Sequence, residues 1–362
     1  MRFNVEADEF AKTLGALQGI AERRTTMPIL SHVRLVAAGD VLRATATDLE
    51  VTLTVSVGAE VAEEGALCLP ARLLHEVVRD LSGAVSVETD GGWVRVVSGG
   101  FSSRIAGLPA DDFPAVGEAE ADLFPVPSSV LDGMLAKTVY AASPDELRRN
   151  LTGVYFERTK SGLACVATDG HRLSLVEEEV EVPWETNFLV PKKGALEMRK
   201  LIRESSSCRM GITKNELIVS VEGAELRVRL IDAAFPDYRQ VLPKKSTCGF
   251  VADKNALSLA LRRVARLASE RSKSVKFALR GGALTLNATS PEFGEASERV
   301  ELASCDEGIE IGFNSRYIME ALDALDSERV RFDFVDETSP AAIKPEDGGG
   351  GKFLAIVMPM RV

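Results

Sequence analysis

The sequence predicts an α+β fold built from three tandem copies of one domain, with helices on one face of antiparallel sheets. The first observation is a repeated opening, a short apolar strand that leads into a helical pattern, at Phe3, Phe124 and Phe250. These openings lie 121 and 126 residues apart, the size of a whole domain rather than of a solenoid repeat. We therefore expect domains over residues 1–120, 121–245 and 246–362, with linkers near 114–123 and 242–249.

The second observation is a later helix start that recurs in every copy, with a basic residue followed four positions later by an acid. The three pairs are Arg72/Glu76, Lys193/Glu197 and Arg316/Glu320. Each copy is thus expected to contain two helices, near its positions 7–18 and 71–81.

The third observation is the alternation of apolar and polar residues in the remaining segments, which predicts strands with one buried face. Val51–Val57 alternates strictly, and Trp93–Val97 follows an Asp-Gly-Gly turn. Leu217–Val221 and Leu226–Leu230 flank a Glu-Gly turn in the middle copy, and a similar pair flanks Gly281-Gly282. Antiparallel hairpins should therefore dominate the sheets.

Composition narrows the class of protein. The chain has 362 residues, 45% of them hydrophobic, and a formal net charge of −11. It shows neither a membrane-length apolar run nor the apolar core of a signal peptide, so a cytoplasmic location is expected. The five cysteines and three histidines are scattered without metal-ligand spacing, so we expect neither a metal site nor a cofactor.

Basic residues concentrate on two predicted helical segments in spite of the acidic total. Residues 192–203 and 262–273 each carry five basic side chains against one acid. The simplest interpretation is a set of solvated helix faces. Acids cluster elsewhere, as at Glu177–Glu179, and this segregation raises the alternative of a surface that faces a polyanion without reading base sequence.

Catalytic motifs are weak. Asp169 and His171 are a conceivable hydrolase pair, but no serine or cysteine nucleophile motif accompanies them, so a turn that shapes a pocket is favoured. Gly348–Lys352 lacks the first glycine and the Ser or Thr of a phosphate-binding loop and is better explained as a hairpin loop. We expect no enzyme. A further alternative is a scaffold that binds proteins through Met358 and Met360 and contacts no polyanion.

Seven motifs follow one another along the whole chain: Met27-Pro-Ile-Leu30, Thr47-Asp-Leu-Glu50, Leu108-Pro-Ala followed by Phe113-Pro, Ala167-Thr-Asp-Gly-His-Arg-Leu173, Phe235-Pro-Asp-Tyr-Arg239, Val241-Leu-Pro243 and Met358-Pro-Met-Arg361. Together they resemble the motifs of the bacterial replicative sliding clamp family, the beta subunit of DNA polymerase III.

The resemblance implies three tandem DNA-clamp domains per chain and a head-to-tail homodimeric ring of six domains around duplex DNA. It implies a non-catalytic processivity factor that tethers the replicative polymerase independently of sequence. The implied partners are double-stranded DNA, a second copy of the chain, the catalytic subunit of DNA polymerase III, the delta subunit of the ATP-driven clamp loader, and other polymerases and repair proteins that carry clamp-binding peptides.

The resemblance also implies three sets of site residues. The peptide-binding groove is expected at Leu151, Thr168, Gly170, His171, Arg172, Leu173, Pro236, Gln240, Val241, Val357, Met358, Pro359, Met360 and Arg361. DNA contacts are expected at Arg24, Arg72, Arg148, Arg149, Lys192 and Lys193. The subunit contact is expected at Arg104, Ile105, Leu267, Glu292, Glu295 and Glu298. Gln240 stands where relatives often carry a second arginine.

Overall fold

The computed structural model describes residues 1–21, 26–117, 120–243, 245–305, 308–347 and 352–361. Arg24, expected to contact DNA, and the glycines of the expected loop at 348–351 lie outside these residues. Within them, each third of the chain repeats one order of elements, namely strand, helix, several strands, helix and further strands. The predicted α+β fold with antiparallel sheets is confirmed.

The first third contains helices α1 (Ala7–Leu17) and α2 (Ala71–Val78). Its strands are β1 (Arg2–Glu6), β2 (His32–Ala38), β3 (Val41–Thr47), β4 (Val51–Gly58), β5 (Glu60–Glu63), β6 (Gly65–Pro70), β7 (Ala84–Asp90), β8 (Trp93–Ser98), β9 (Phe101–Ala106) and β10 (Leu108–Pro109).

The middle third contains helices α3 (Ser128–Thr138) and α4 (Lys192–Ile202). Its strands are β11 (Phe124–Pro127), β12 (Gly153–Arg158), β13 (Leu163–Thr168), β14 (Arg172–Glu178), β15 (Phe188–Pro191), β16 (Ser207–Ile212), β17 (Glu216–Val221) and β18 (Ala224–Arg229).

The last third contains helices α5 (Lys254–Ala265) and α6 (Ser315–Asp323). Its strands are β19 (Cys248–Asp253), β20 (Ser274–Arg280), β21 (Ala283–Ser290), β22 (Gly294–Glu301), β23 (Ser304–Cys305), β24 (Glu310–Asn314), β25 (Arg329–Phe334), β26 (Ala341–Pro345) and β27 (Lys352–Val357).

The helices form where the apolar spacing predicted them, and that spacing explains their packing. In α1 the side chains of Phe10, Leu14 and Leu17 share one face and are fully buried. Helix α5 starts where the Asp253 carboxylate accepts a hydrogen bond from the Ala256 backbone nitrogen at 2.7 Å, which satisfies a donor of the first turn. Burial of one apolar face therefore holds each helix against its sheet.

The chain packs into two compact units, Met1–Ser129 with Leu196–Leu230, and Val130–Ala195 with Ile231–Val362. The first unit contains a five-stranded sheet, β5-β1-β7-β8-β9, and a nine-stranded sheet, β10-β6-β2-β3-β4-β18-β17-β16-β11. The second unit contains a nine-stranded sheet, β15-β12-β13-β14-β27-β26-β25-β19-β23, and a four-stranded sheet, β22-β21-β20-β24. The expected domain boundaries after residues 120 and 245 stay predictions.

One pairing in the second unit positions the candidate site. Strand β27 lies antiparallel to β14, with Arg172 opposite Val357 and Glu177 opposite Lys352. The strand ends at Val357, as expected from the proline at 359, which cannot donate to a ladder. Residues 358–361 consequently leave the sheet beside the turn that precedes β14.

Candidate functional site

The turn between β13 and β14 is fixed by its own side chains. Thr168 Oγ1 donates to the Arg172 carbonyl at 2.6 Å and accepts from the Gly170 nitrogen at 3.1 Å. Asp169 Oδ1 accepts from the backbone nitrogens of His171 and Arg172 at 2.9 and 3.1 Å. Gly170 has a φ of 89°, a conformation that glycine adopts without strain. The turn is therefore a rigid surface with Gly170 and His171 exposed on it.

The same bonding shows how the Asp169 carboxylate beside His171 is used. The second carboxylate oxygen of Asp169 accepts from Arg172 Nε at 3.1 Å, so both oxygens are engaged in the turn. The carboxylate acts as a turn cap and ion-pair partner. This placement favours the pocket-shaping turn over the hydrolase hypothesis.

Arg172 lies behind the turn rather than on its surface. Its side chain is only 6% exposed. Its guanidinium carbon lies over the rings of Tyr140 and Tyr317, 5.2 and 4.5 Å from their centroids. Its guanidinium donates to Asp169, to Glu320 of α6 and, at 2.7 Å, to the Tyr140 carbonyl. These contacts tie the turn to α6, and the expected place of Arg172 in the groove stays a prediction.

Two groups beside Arg172, Glu320 and Tyr140, have shifted pKa values with different causes. Burial alone would raise the pKa of Glu320, but hydrogen bonds from Arg172 and Arg316 and their positive charges outweigh it and lower that pKa. Burial raises the pKa of Tyr140 to about 12. Glu320 is thus held as a carboxylate at neutral pH.

An apolar cluster forms the floor beside the turn. Its buried members are Val166, Leu173, Tyr238, Ala342 and Ile356. Partly buried side chains packed on it are Tyr155, Leu175, Phe235, Val241, Leu242 and Leu354. The rings of Tyr155 and Phe235 are stacked with centroids 4.8 Å apart. Leu173 and Val241, predicted from distant parts of the sequence, are therefore brought to one surface.

Residues 235–242, here called the connecting segment, cover this cluster and are held in place by polar contacts. The Tyr238 hydroxyl donates to Glu157 Oε2 at 2.5 Å, and the Arg239 guanidinium reaches both Glu157 oxygens at 2.8 Å. Burial, with the neighbouring Glu157, raises the pKa of Tyr238. Gln240 is exposed, and its amide donates to Asp237 Oδ2 at 3.1 Å.

Residues 358–361 run from the turn to strand β24. The Met358 nitrogen donates to the His171 carbonyl at 2.9 Å, and the Met360 nitrogen donates to the Gly312 carbonyl at 2.8 Å. Met358, Pro359 and Met360 are half-buried, and Arg361 is exposed. Met358 therefore lies against the turn, whereas Pro359, Met360 and Arg361 line a cleft with Lys276, Arg280 and Gly312. The assignment of these residues to a peptide-binding groove stays a prediction.

The predicted groove residues divide by exposure. At the surface are Gly170, His171, Pro236, Gln240, Val241, Met358, Pro359, Met360 and Arg361. Buried beneath it are Leu151, Thr168, Arg172, Leu173 and Val357. Arg148 approaches the turn, since a Cβ on Gly170 would lie 3.3 Å from its Nη1.

The residues expected to contact DNA differ in exposure and in the partners of their side chains. Arg72 is exposed and paired with Glu76 at 2.8 Å, and Arg148 pairs with Asp145 at 3.1 Å. Arg149 is exposed and Lys193 is half-buried. Lys192 donates to the Ala142 carbonyl at 3.1 Å, and burial lowers its pKa, so its ammonium is committed to the fold.

The residues expected at the subunit contact lie on two sheet edges, β9 of the five-stranded sheet and β22 of the four-stranded sheet, or near them. Arg104 pairs with Asp90 at 3.1 Å, and Glu298 pairs with Arg263 at 2.8 Å. Ile105 is only 5% exposed. Glu292 and Glu295 are exposed, and Leu267 is half-buried.

Sequence reasoning missed the large exposed apolar side chains near these edges. Trp93, Phe101 and Phe293 are 45%, 40% and 51% exposed. An aromatic residue on an edge strand or its turn is the signal that could have identified them, because such side chains are enriched in interfaces.

Metal and thiol chemistry find no support in the part of the chain that the structure describes. Within it, no group of three or more His, Cys, Asp or Glu side chains could hold a metal ion. Cys68, Cys165 and Cys208 are buried, and burial raises the pKa of the Cys68 thiol to about 11. Among the described residues, no helix is both long and apolar enough to cross a bilayer.

Comparison with known proteins identifies the family. Models of the DNA polymerase III beta subunit match the chain three times, the N-terminal domain at residues 1–117, the central domain at 125–237 and the C-terminal domain at 239–361. The predicted series of three clamp domains is thereby confirmed.

Full-length relatives agree. The chain is 33% identical to the beta sliding clamp of Pseudomonas aeruginosa over 370 residues and 32% identical to that of Escherichia coli K12 over 368, with all of both chains covered. The crystal structure of the P. aeruginosa clamp bound to griselimycin matches with a TM-score of 0.94 at 32% identity over all of both chains. The Bacillus subtilis clamp matches with the same score at 25% identity, covering all of this chain and 99% of that one. The chain therefore belongs to the family of DNA polymerase III beta subunits, and it is a DNA sliding clamp that serves polymerase processivity.

Proposed function

We propose that two copies of this clamp close head to tail into a ring of six domains around duplex DNA and tether the replicative polymerase to it. The observation that carries the proposal is the tandem run of three clamp domains, which leaves two unlike sheet edges, β9 and β22, in the first and last thirds. A head-to-tail dimer needs two different complementary patches on each chain. Exposed aromatic side chains near both edges support this use.

The ring works through topology rather than through tight binding. A polymerase attached to a closed ring stays near the primer end, so each rebinding occurs at a high effective concentration. Contacts from basic side chains to phosphates are independent of sequence and are weakened by salt, which lets the ring slide. A formal net charge of −11 discourages DNA from binding to the rest of the surface. No catalytic step is assigned to the chain.

The groove defined above is proposed to take short apolar peptides from the catalytic subunit of DNA polymerase III, from the delta subunit of the clamp loader and from other polymerases and repair proteins. The apolar floor around Leu173 and Val241 would hold the anchoring side chains. His171, Gln240 and Arg361, which are exposed at its margins, would orient the peptide. Arg172 is assigned a positioning role, since its guanidinium is already bonded within the chain.

The exposed basic residues Arg72, Arg148 and Arg149 and the half-buried Lys193 are proposed to contact phosphates. Lys192 is expected to contribute less to phosphate binding, because its ammonium already donates to the Ala142 carbonyl. We also propose a cytoplasmic location, because it fits action on bacterial DNA.

Retention on DNA of different topology tests the ring. The chain, loaded with a clamp loader and ATP onto nicked circular DNA, should stay bound through gel filtration and should be lost after a restriction enzyme linearises the circle. A linear DNA with bulky blocks at both ends is the control and should retain the clamp. Equal retention on open linear and circular DNA would reject encirclement.

A further inference from the structure

The two nine-stranded sheets have the same construction. Counting along each sheet, β6-β2-β3-β4-β18-β17-β16-β11 in the first unit corresponds strand for strand to β15-β12-β13-β14-β27-β26-β25-β19 in the second. Strand pairing then fixes which residues correspond. The junction of β14 with β27, which carries the apolar groove, has its counterpart where β4 pairs with β18.

The floors of the two junctions differ in polarity. In the second unit one row of directly paired residues runs Tyr155, Val166, Leu175 and Leu354. The corresponding row in the first unit runs Arg34, Thr45, Thr54 and Glu225. In the adjacent row, Leu173 and Ile356 correspond to Thr52 and Arg227. Each of these six positions is thus replaced by a polar or charged residue, whereas Ala342 of the floor corresponds to another apolar residue, Ile218.

The polar floor lies in an open cleft. The cleft has a volume of about 1210 Å³ and is contained within the first unit. Phe113 lines it and packs into a small apolar cluster with Ile29, Leu30 and Cys68. Phe235 packs in the same way beside the apolar groove. The two clefts therefore share a phenylalanine as a wall and differ in their floors.

The cleft is lined by four arginines and three acidic residues, so its charged groups are positive in slight excess. Arg34 Nε is buried and has no hydrogen-bond partner among the described residues. Arg43 and Arg209, which also line the cleft, are exposed. The carboxylate of Glu225 is already bonded to Arg227 at 2.8 Å. Asp111 and Glu222 lie exposed along the lining. An apolar ligand would desolvate the guanidinium groups at a high cost in free energy.

We propose that this cationic cleft, defined by Arg34, Arg43, Thr45, Ser56 and Arg209, binds an acidic peptide segment in extended form. Carboxylates would pair with the guanidinium groups of Arg34 and Arg43, which are diagonal neighbours about 7 Å apart on the sheet. The path from Arg34 to Arg209 crosses five strand spacings, about 24 Å, which is the length of about seven extended residues. The clamp thus has a second docking cleft of opposite chemistry to the apolar groove.

The test uses the full chain and a fluorescein-labelled heptapeptide rich in glutamate, followed by fluorescence anisotropy at low ionic strength. We expect binding that falls steeply with salt, and at least about tenfold weaker binding of the same peptide with glutamine in place of glutamate. The double variant Arg34→Gln/Arg43→Gln should weaken binding by about tenfold or more. The double variant Arg2→Gln/Arg95→Gln, which changes the net charge equally on the five-stranded sheet, should stay within about twofold of the parent.

Three outcomes would overturn the proposal. They are unchanged affinity in Arg34→Gln/Arg43→Gln, equal loss in the two double variants, and displacement of the acidic peptide by an excess of an apolar groove-binding peptide. Arg34→Lys/Arg43→Lys keeps the charge and should retain most of the binding. If the glutamine variant does not fold, Arg43→Glu alone, at an exposed position, provides the same test. It should weaken binding of the acidic peptide.

Discussion

At the scale of single residues, Arg172 shows what local pattern could and could not predict. The turn Thr168–Arg172 was predicted from its Asp-Gly signal, and its hydrogen bonds explain why that signal works. The burial of Arg172 could not be predicted, because its partner Glu320 lies 148 residues away in the sequence. Lys192 is a similar case, since only the tertiary structure brings the Ala142 carbonyl to its ammonium.

Removal of the Arg172 charge should be costly. Arg172→Gln leaves the carboxylates of Asp169 and Glu320 without their main buried partner, so the free energy of unfolding should fall by about 3 kcal/mol in urea titration. Arg316→Gln, which removes the exposed partner of Glu320, should cost less than about 1 kcal/mol. Similar losses in both variants would contradict the buried role of Arg172.

The Glu320 carboxylate should make stability depend on pH. Its pKa is lower in the folded chain than the ordinary value of 4.5, so its contribution is fully present above pH 4.5 and is lost as pH falls through the folded pKa. The difference in unfolding free energy between the parent and Glu320→Gln should therefore shrink in acid. Glu9→Gln, on an exposed helix face, is the control, and a difference that grows on acidification would contradict the assignment.

At the scale of elements, the hairpins and helices followed from local periodicity, whereas the groove did not. The β17–β18 and β20–β21 hairpins have their turns where Glu-Gly and Gly-Gly predicted them. The pairing of β14 with β27 joins segments that are distant in sequence, and no local signal specifies such a register. The groove residues were predicted through the family resemblance, and the pairing explains why two of them, Arg172 and Val357, lie side by side.

The segment after β27 should matter for peptide binding more than for folding. Met360→Ala should weaken binding of a labelled apolar clamp-binding peptide by about tenfold, because a half-buried methionine surface is lost. Deletion of residues 358–362 should weaken it further while the thermal unfolding midpoint changes little, since β27 ends at Val357. Met27→Ala, at an exposed methionine outside the groove, should bind normally. Normal binding by both groove variants would reject the site.

At the scale of the whole molecule, the proposed ring depends on the two sheet edges. Phe101 is 40% exposed on edge strand β9, so Phe101→Asp should place a charge in the subunit contact and raise the dimer dissociation constant by about tenfold or more. Light scattering after gel filtration over a dilution series measures this change. Leu49→Asp, at an exposed turn of the same unit, should leave the dimer intact. An unchanged dimer dissociation constant in Phe101→Asp would show that the subunit contact lies elsewhere.

The pairing of β14 with β27 also has a consequence for synthesis of the chain. Glu177 and Lys352 face each other across that ladder but are translated 175 residues apart. While the ribosome makes the intervening sequence, β14 presents unpaired amide and carbonyl groups of the kind that recruit foreign strands. A chain released before residue 352 is made would keep this unpaired strand edge. We therefore expect such truncated products to depend on chaperones for solubility.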